Sequence, residues 1–182
     1  MAEQALRKAP LGGFNGGSAA AHVSAAAPAT RLSLRAAPDA VAALSKALGL
    51  DLPTRPKTSA SAKGQHALWL GPDEWLLIDE QGADLAAVAA KSGVLHSAVD
   101  VSHRNTAILV AGPKAAQAIA SASPHDLSAS AFPVGACART VLGKIEVVIY
   151  RAGEQEYRVE CWRSFSPYAF GVLAEGAEDA AH

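Results

Sequence analysis

The stretch from Asp100 to Pro113, D-V-S-H-R-N-T-A-I-L-V-A-G-P, constrains this chain most, because it opens a second half that repeats the plan of the first. Ala107 to Val110 is a short apolar, partly β-branched run of the kind that forms a buried strand. Gly112-Pro113 then suits a helix start, since proline at the first helical position gives up an N–H that has no partner there. A helix over Lys114 to Ser121 follows. The same order appears earlier. Arg31 to Arg35 alternates like a half-buried strand, Pro38 opens a helix, Ala40, Ala43, Leu44 and Leu48 recur at helical spacing, and Gly49 stops it.

The repeat extends past these openings. Arg31-to-Leu52 resembles Thr106-to-Leu127, with Pro38 matching Pro113. Gly71-Pro72-Asp73-Glu74-Trp75 resembles Gly153-Glu154-Gln155-Glu156-Tyr157. In the first half, His66 to Leu70 and Glu74 to Ile78 read as a hairpin around turn residues. Asp51 to Gln65 reads as a loop or irregular edge segment, Ala83 to Lys91 as a short helix, and Val94 to Val101 as a strand. In the second half, Ala138 to Leu142 and Ile145 to Tyr150 flank Gly143-Lys144, a glycine-first two-residue turn. Glu156 to Trp162 alternates, with Tyr157, Val159 and Cys161 on one face. Ser166, Pro167 and the pair Phe165/Phe170 predict a capped and stapled helix running to about Ala174. The fold class is α+β: two ferredoxin-like βαβ-type pseudo-repeats, each antiparallel and backed by helices. Each alone has too small a core, and packed together they bury a common face.

The domain reading is residues 1–30 as a flexible N-terminal arm, 31–176 as one domain with pseudo-repeats at about 31–103 and 104–176, and 177–182 as a fraying tail. Ala, Gly, Ser and Pro dominate the arm and leave no strand or helix period. It is either a tail or a segment that orders against a partner, with Phe14 and Val23 as anchors.

Composition narrows function. Half of the 182 residues are hydrophobic and the formal net charge is −1. No basic stripe marks nucleic-acid binding. Nothing approaches the ~18 continuous apolar residues of a membrane span. Arg7 and Lys8 are not followed by a leucine-rich segment, so no signal peptide is read. Cys137 and Cys161, the only cysteines, read as reduced buried thiols of a cytoplasmic protein.

No catalytic set emerges. The six histidines lack helical zinc spacing. Ser102 and His103 are adjacent, so on a strand they face opposite ways and cannot act as nucleophile and base. The glycines at 12, 13, 16 and 17 neither follow a strand nor open a helix, which excludes a dinucleotide fingerprint or P-loop. Trp69 and Trp75 read as packing residues, with ligand stacking the alternative. The candidates for binding are His103 and Arg104, at the junction of the two units where clefts form. No catalytic residue and no metal ligand is assigned.

Three separated motifs carry a resemblance: L-G-P-D-E-W-L-L-I at Leu70 to Ile78, D-V-S-H-R-N-T-A at Asp100 to Ala107, and R-V-E-C-W-R-S-F-S-P-Y at Arg158 to Tyr168. In this order they resemble the gamma subunit family of heterotetrameric sarcosine oxidase, across about residues 30 to 175. The resemblance implies a fold similar to the folate-binding fold of the glycine-cleavage aminomethyltransferase. It implies an accessory, non-catalytic subunit of an oxidase that demethylates sarcosine to glycine. The products are hydrogen peroxide and methylenetetrahydrofolate, or formaldehyde. It places FAD, FMN, NAD and tetrahydrofolate on the larger subunits and zinc on the smallest, with alpha, beta and delta subunits as partners and no cofactor in this chain. The alternative is a stand-alone folate-binding, aminomethyltransferase-like protein, with a pteridine near His103, Arg104 or Trp162. A related branch used in iron–sulfur cluster maintenance carries a Lys-Gly-Cys-Tyr motif. The nearest cysteine here lies in Gly135-Ala136-Cys137-Ala138-Arg139, which departs from it.

Overall fold

A computed structural model describes residues 9–182. The first eight residues of the segment read as an arm lie outside this range. The first half contains β1 (Asn15–Gly17), β2 (His22–Ala25), β3 (Thr30–Ala36), α1 (Val41–Leu48), β4 (Ser59–Ala62), β5 (Gln65–Gly71), β6 (Glu74–Asp79), α2 (Leu85–Ala90) and β7 (His96–Asp100). The second contains β8 (Asn105–Ala111), α3 (Ala115–Ala120), β9 (Cys137–Leu142), β10 (Ile145–Gly153), β11 (Glu156–Trp162) and α4 (Ser166–Asp179).

Two antiparallel sheets result, ordered β4-β5-β6-β3-β7 and β1-β2-β8-β11-β10-β9. Taken as β3, β5, β6 and β7, the first has the 4-1-3-2 order of a ferredoxin-like unit, with β4 added outside β5. The second has the same order with β9 added outside β10 and β1 added at the opposite edge. Its fourth strand comes from an unexpected place. Among the described residues no strand follows α4, and β2 takes the position beside β8 that β7 takes beside β3.

That corrects the reading of residues 1–30 over their described part. His22 to Ala25 pairs antiparallel with β8, and Val23 is fully buried. The segment looks structureless because its burial rests on single side chains, Leu11, Ala21 and Val23, packed on α3, α4 and β8. Glycines are needed here for contact. Gly17 has φ +82°, and a Cβ there would press into the Ala21 carbonyl; at Gly16 it would stand 3.2 Å from Ala174 Cβ.

The molecule has four layers. Leu32, Leu34, Trp75 and Leu77 pack the first sheet on α1 and α2. Ile108, Val110, Val159, Cys161 and Leu173 join the second sheet to α3 and α4. Between the sheets, Leu68, Leu76 and Ile78 meet Cys137, Val148 and Tyr150. Each unit therefore owns a core, and the common face is a third, smaller cluster.

Local differences have identifiable causes. Ser59 to Ala62, within the stretch read as a loop or edge, pairs with β5 as the outer strand. A 3-10 turn over Arg163–Phe165 precedes α4, so Ser166 lies inside the helix, where its Oγ donates to the Arg163 carbonyl. Phe165 stacks on Trp162, while Phe170 meets Phe14 edge-on at 5.2 Å. The helix runs past Ala174 to Asp179 because Gly176 allows close approach to α3 and Ala177 is buried, which corrects the fraying tail over residues 177–179. Trp75 is buried and donates from Nε1 to the Pro53 carbonyl at 2.7 Å. Trp69 packs on the cluster between the sheets. Both tryptophans serve packing.

Candidate functional site

Alternation on β11 sends Tyr157, Val159 and Cys161 toward the helices and Arg158 and Glu160 toward the other sheet. There β3 presents Arg31. Its Nε donates to Glu160 Oε2 at 2.6 Å, and Arg158 Nε donates to Glu160 Oε1 at 2.8 Å. Arg158 Nη1 reaches Glu80, just past β6, at 2.9 Å. The Arg31, Arg158 and Glu160 side chains are at most 6% exposed, so these are buried charges held by one another. Sequence reasoning made a site candidate of none of the four. A charge at every second position of a strand whose other face is apolar was the available signal.

Beside this network His66 Nε2 lies 4.0 Å from Glu80, while its Nδ1 bonds Ser61 Oγ at 2.8 Å. Burial lowers the His66 pKa, with Glu80 opposing, so the imidazole is neutral at pH 7. Ser61 and His66 face each other across β4 and β5, and Ser61 also meets the Tyr150 hydroxyl at 3.0 Å. The carboxylate stands beyond hydrogen-bond reach of the ring. The trio is a cross-strand pair with a neighbour, and nothing in it activates the serine.

Residues 101–104 form the turn from β7 to β8, and hydrogen bonds tie this turn to β3 at Arg31. Ser102 Oγ accepts from Arg31 N at 2.9 Å, and Asp100 Oδ1 accepts from Ser102 N at 2.7 Å. The bonds from the Ser102 side chain and backbone hold the Asp100 carboxyl below its ordinary pKa.

Arg104 and Trp162 are brought together, with the guanidinium carbon 5.3 Å from the ring centroid. Both line the mouth of a cleft between the sheets, which has a volume of only about 50 Å³. His103 is exposed and lines a separate recess of about 310 Å³ with Arg31, Ser102 and Arg163. The three binding candidates thus do not converge on one site. Cys137 and Cys161 are buried and free, and burial pushes both thiols up to about 12, which makes them inert at neutral pH. Among the described residues no three His, Cys, Asp or Glu side chains gather as a metal site requires, and no helix is long and apolar enough to cross a membrane.

The model of the sarcosine oxidase gamma subunit family matches residues 33–179. The chain belongs to that family. Its relatives include sarcosine oxidase subunit gamma of Corynebacterium sp. (strain P-1), 35% identical over 158 residues, covering 84% of this chain and 78% of that protein. Subunit gamma of an Arthrobacter species is 38% identical over 136 residues, 72% of this chain and 67% of that one. Among solved structures, a chain of the heterotetrameric sarcosine oxidase from Corynebacterium sp. U-96, in complex with pyrrole 2-carboxylate, superposes with a TM-score of 0.86 at 28% identity, over 97% of both chains. Glycine cleavage system aminomethyltransferase T from Bartonella henselae matches with a TM-score of 0.66 at 17% identity, over 85% of this chain and 45% of that one. This second likeness concerns the fold, and it agrees with the aminomethyltransferase-like architecture of the family.

Proposed function

We propose that this chain is the accessory, non-catalytic gamma subunit of a cytoplasmic heterotetrameric sarcosine oxidase, holding its alpha, beta and delta partners in register. The assembled oxidase oxidises the N-methyl group of sarcosine, passes electrons to oxygen, and releases glycine and hydrogen peroxide. The one-carbon unit leaves as methylenetetrahydrofolate or formaldehyde. FAD, FMN, NAD, tetrahydrofolate and zinc reside on the other subunits. The observation that carries this reading is the superposition with a chain of a heterotetrameric oxidase over 97% of both lengths.

The site geometry supports a scaffold. The cleft beside Arg104 and Trp162, about 50 Å³, falls well short of the roughly 300–1,000 Å³ of ordinary ligand pockets, and the recess beside His103, about 310 Å³, stands at the lower edge of that range. Glu160, which lines the cleft, is already held by Arg31 and Arg158, so a ligand that took up this carboxylate would leave buried charges unpaired. A stand-alone folate carrier is the competing reading, and titration separates the two. The isolated chain is expected to give no heat and no thermal shift with tetrahydrofolate up to millimolar concentration. Saturable heat would overturn the scaffold reading.

A further inference from the structure

An aromatic ladder runs around one end of the second unit. Trp162, at the end of β11, is 42% exposed and stacks on Phe165, 43% exposed, with centroids 6.0 Å apart and planes 21° from parallel. Tyr168, 41% exposed, follows one turn later on α4, and its hydroxyl accepts from Lys144 N at 3.3 Å at the tip of the β9–β10 hairpin. The fold does not demand these rings. The corresponding stretch of the first unit, from Glu80 through Ala90, contains no aromatic residue, yet it ends a strand and forms a helix in the same way.

The rim of the ladder is cationic. Arg104 covers Trp162, and among the described residues the other partner of its guanidinium is the neutral Asn105 amide oxygen. Arg163 lies next to Trp162 in the chain, its N–H bonded to the Arg104 carbonyl. Lys144 marks the far end. The carboxylates bordering the cleft mouth, Glu74 and Glu146, already face Arg139. Exposed Trp, Tyr and Arg side chains are the types that dominate binding energy at protein interfaces, and charge complementarity selects the partner.

We propose that the Trp162–Phe165–Tyr168 ladder, with Arg104, is a docking surface for a segment of a partner oxidase subunit that sets an apolar side chain on the rings and a carboxylate beside Arg104. This deepens the subunit reading and rests on it. The test co-expresses the tagged chain with the other oxidase subunits and measures their recovery on the tag. Phe165→Glu and Arg104→Glu are each expected to lower recovery at least about tenfold, the size of a hot-spot loss. Lys46→Glu on α1, an exposed site on the other unit, is expected to leave recovery unchanged. The milder Phe165→Ser and Arg104→Gln guard against misfolding; with melting midpoints equal to that of the unaltered chain, they are expected to lower recovery in the same order. Recovery equal to the unaltered chain in all four ladder variants overturns the docking surface while leaving the subunit reading intact. An unaltered chain that recovers no partner overturns both.

Discussion

Glu160 has both carboxylate oxygens engaged, one by Arg31 from the first unit and one by Arg158 from its own strand. Removing one member of such a buried set strands the others in a poorly solvating interior. Glu160→Gln is expected to cost about 3–5 kcal/mol, the usual loss on breaking a buried ion pair, and urea unfolding of the full chain measures it. Asp79 makes a prediction of a different kind. Burial pushes its pKa up, but hydrogen bonds from Ala83 N, the Gln65 side chain and the Gln81 and Gly82 backbone outweigh this and hold it below the ordinary 3.8. A depressed folded-state pKa gives stability that is present above pH 3.8 and is lost as pH falls through the folded value. Asp79→Asn is therefore expected to flatten the acid limb of a stability–pH curve below about pH 4 and to lower stability at neutral pH; an unchanged acid limb would remove that assignment. The apolar alternation on β11 was legible residue by residue. The fate of its charged face was not, because Arg31 stands 129 positions from Glu160, and no local period encodes a partner that distant.

Among the elements, β2 departs furthest from its sequence. His22-Val23-Ser24-Ala25 offers one large apolar residue, too little for an alternation signal, yet it completes the second sheet. Val23→Ala is expected to lower stability by roughly 2 kcal/mol from lost apolar burial and the resulting void. Gly17→Ala is also expected to destabilise, through its left-handed φ and the Ala21 carbonyl. Thermal unfolding checks both, and midpoints unchanged in both variants would mean that this segment is a tail after all. Elsewhere local signals sufficed. Pro38, Gly49 with φ 68°, and Gly143 with φ 58° bracket elements close to where turn and cap chemistry places them. The repeat was legible because both units spell strand, helix start and hairpin in the same order. Its missing fourth strand was not, because the substitute comes from the opposite end of the chain.

At the scale of the whole molecule, two helix-backed sheets meet along a seam that is apolar at one side and ionic at the other. The seam leaves a cleft of about 50 Å³, so the chain has stiffness and surface to offer a larger assembly. The most direct test of this account is the native mass of the complex recovered through a tag on this chain, expressed together with the other oxidase subunits, with each cofactor mass assigned to a chain. The account predicts a heterotetramer in which the flavins stay with other chains and this chain is released at its polypeptide mass alone. A chain recovered free of partners, or one that retains a flavin or folate on its own mass, would contradict it.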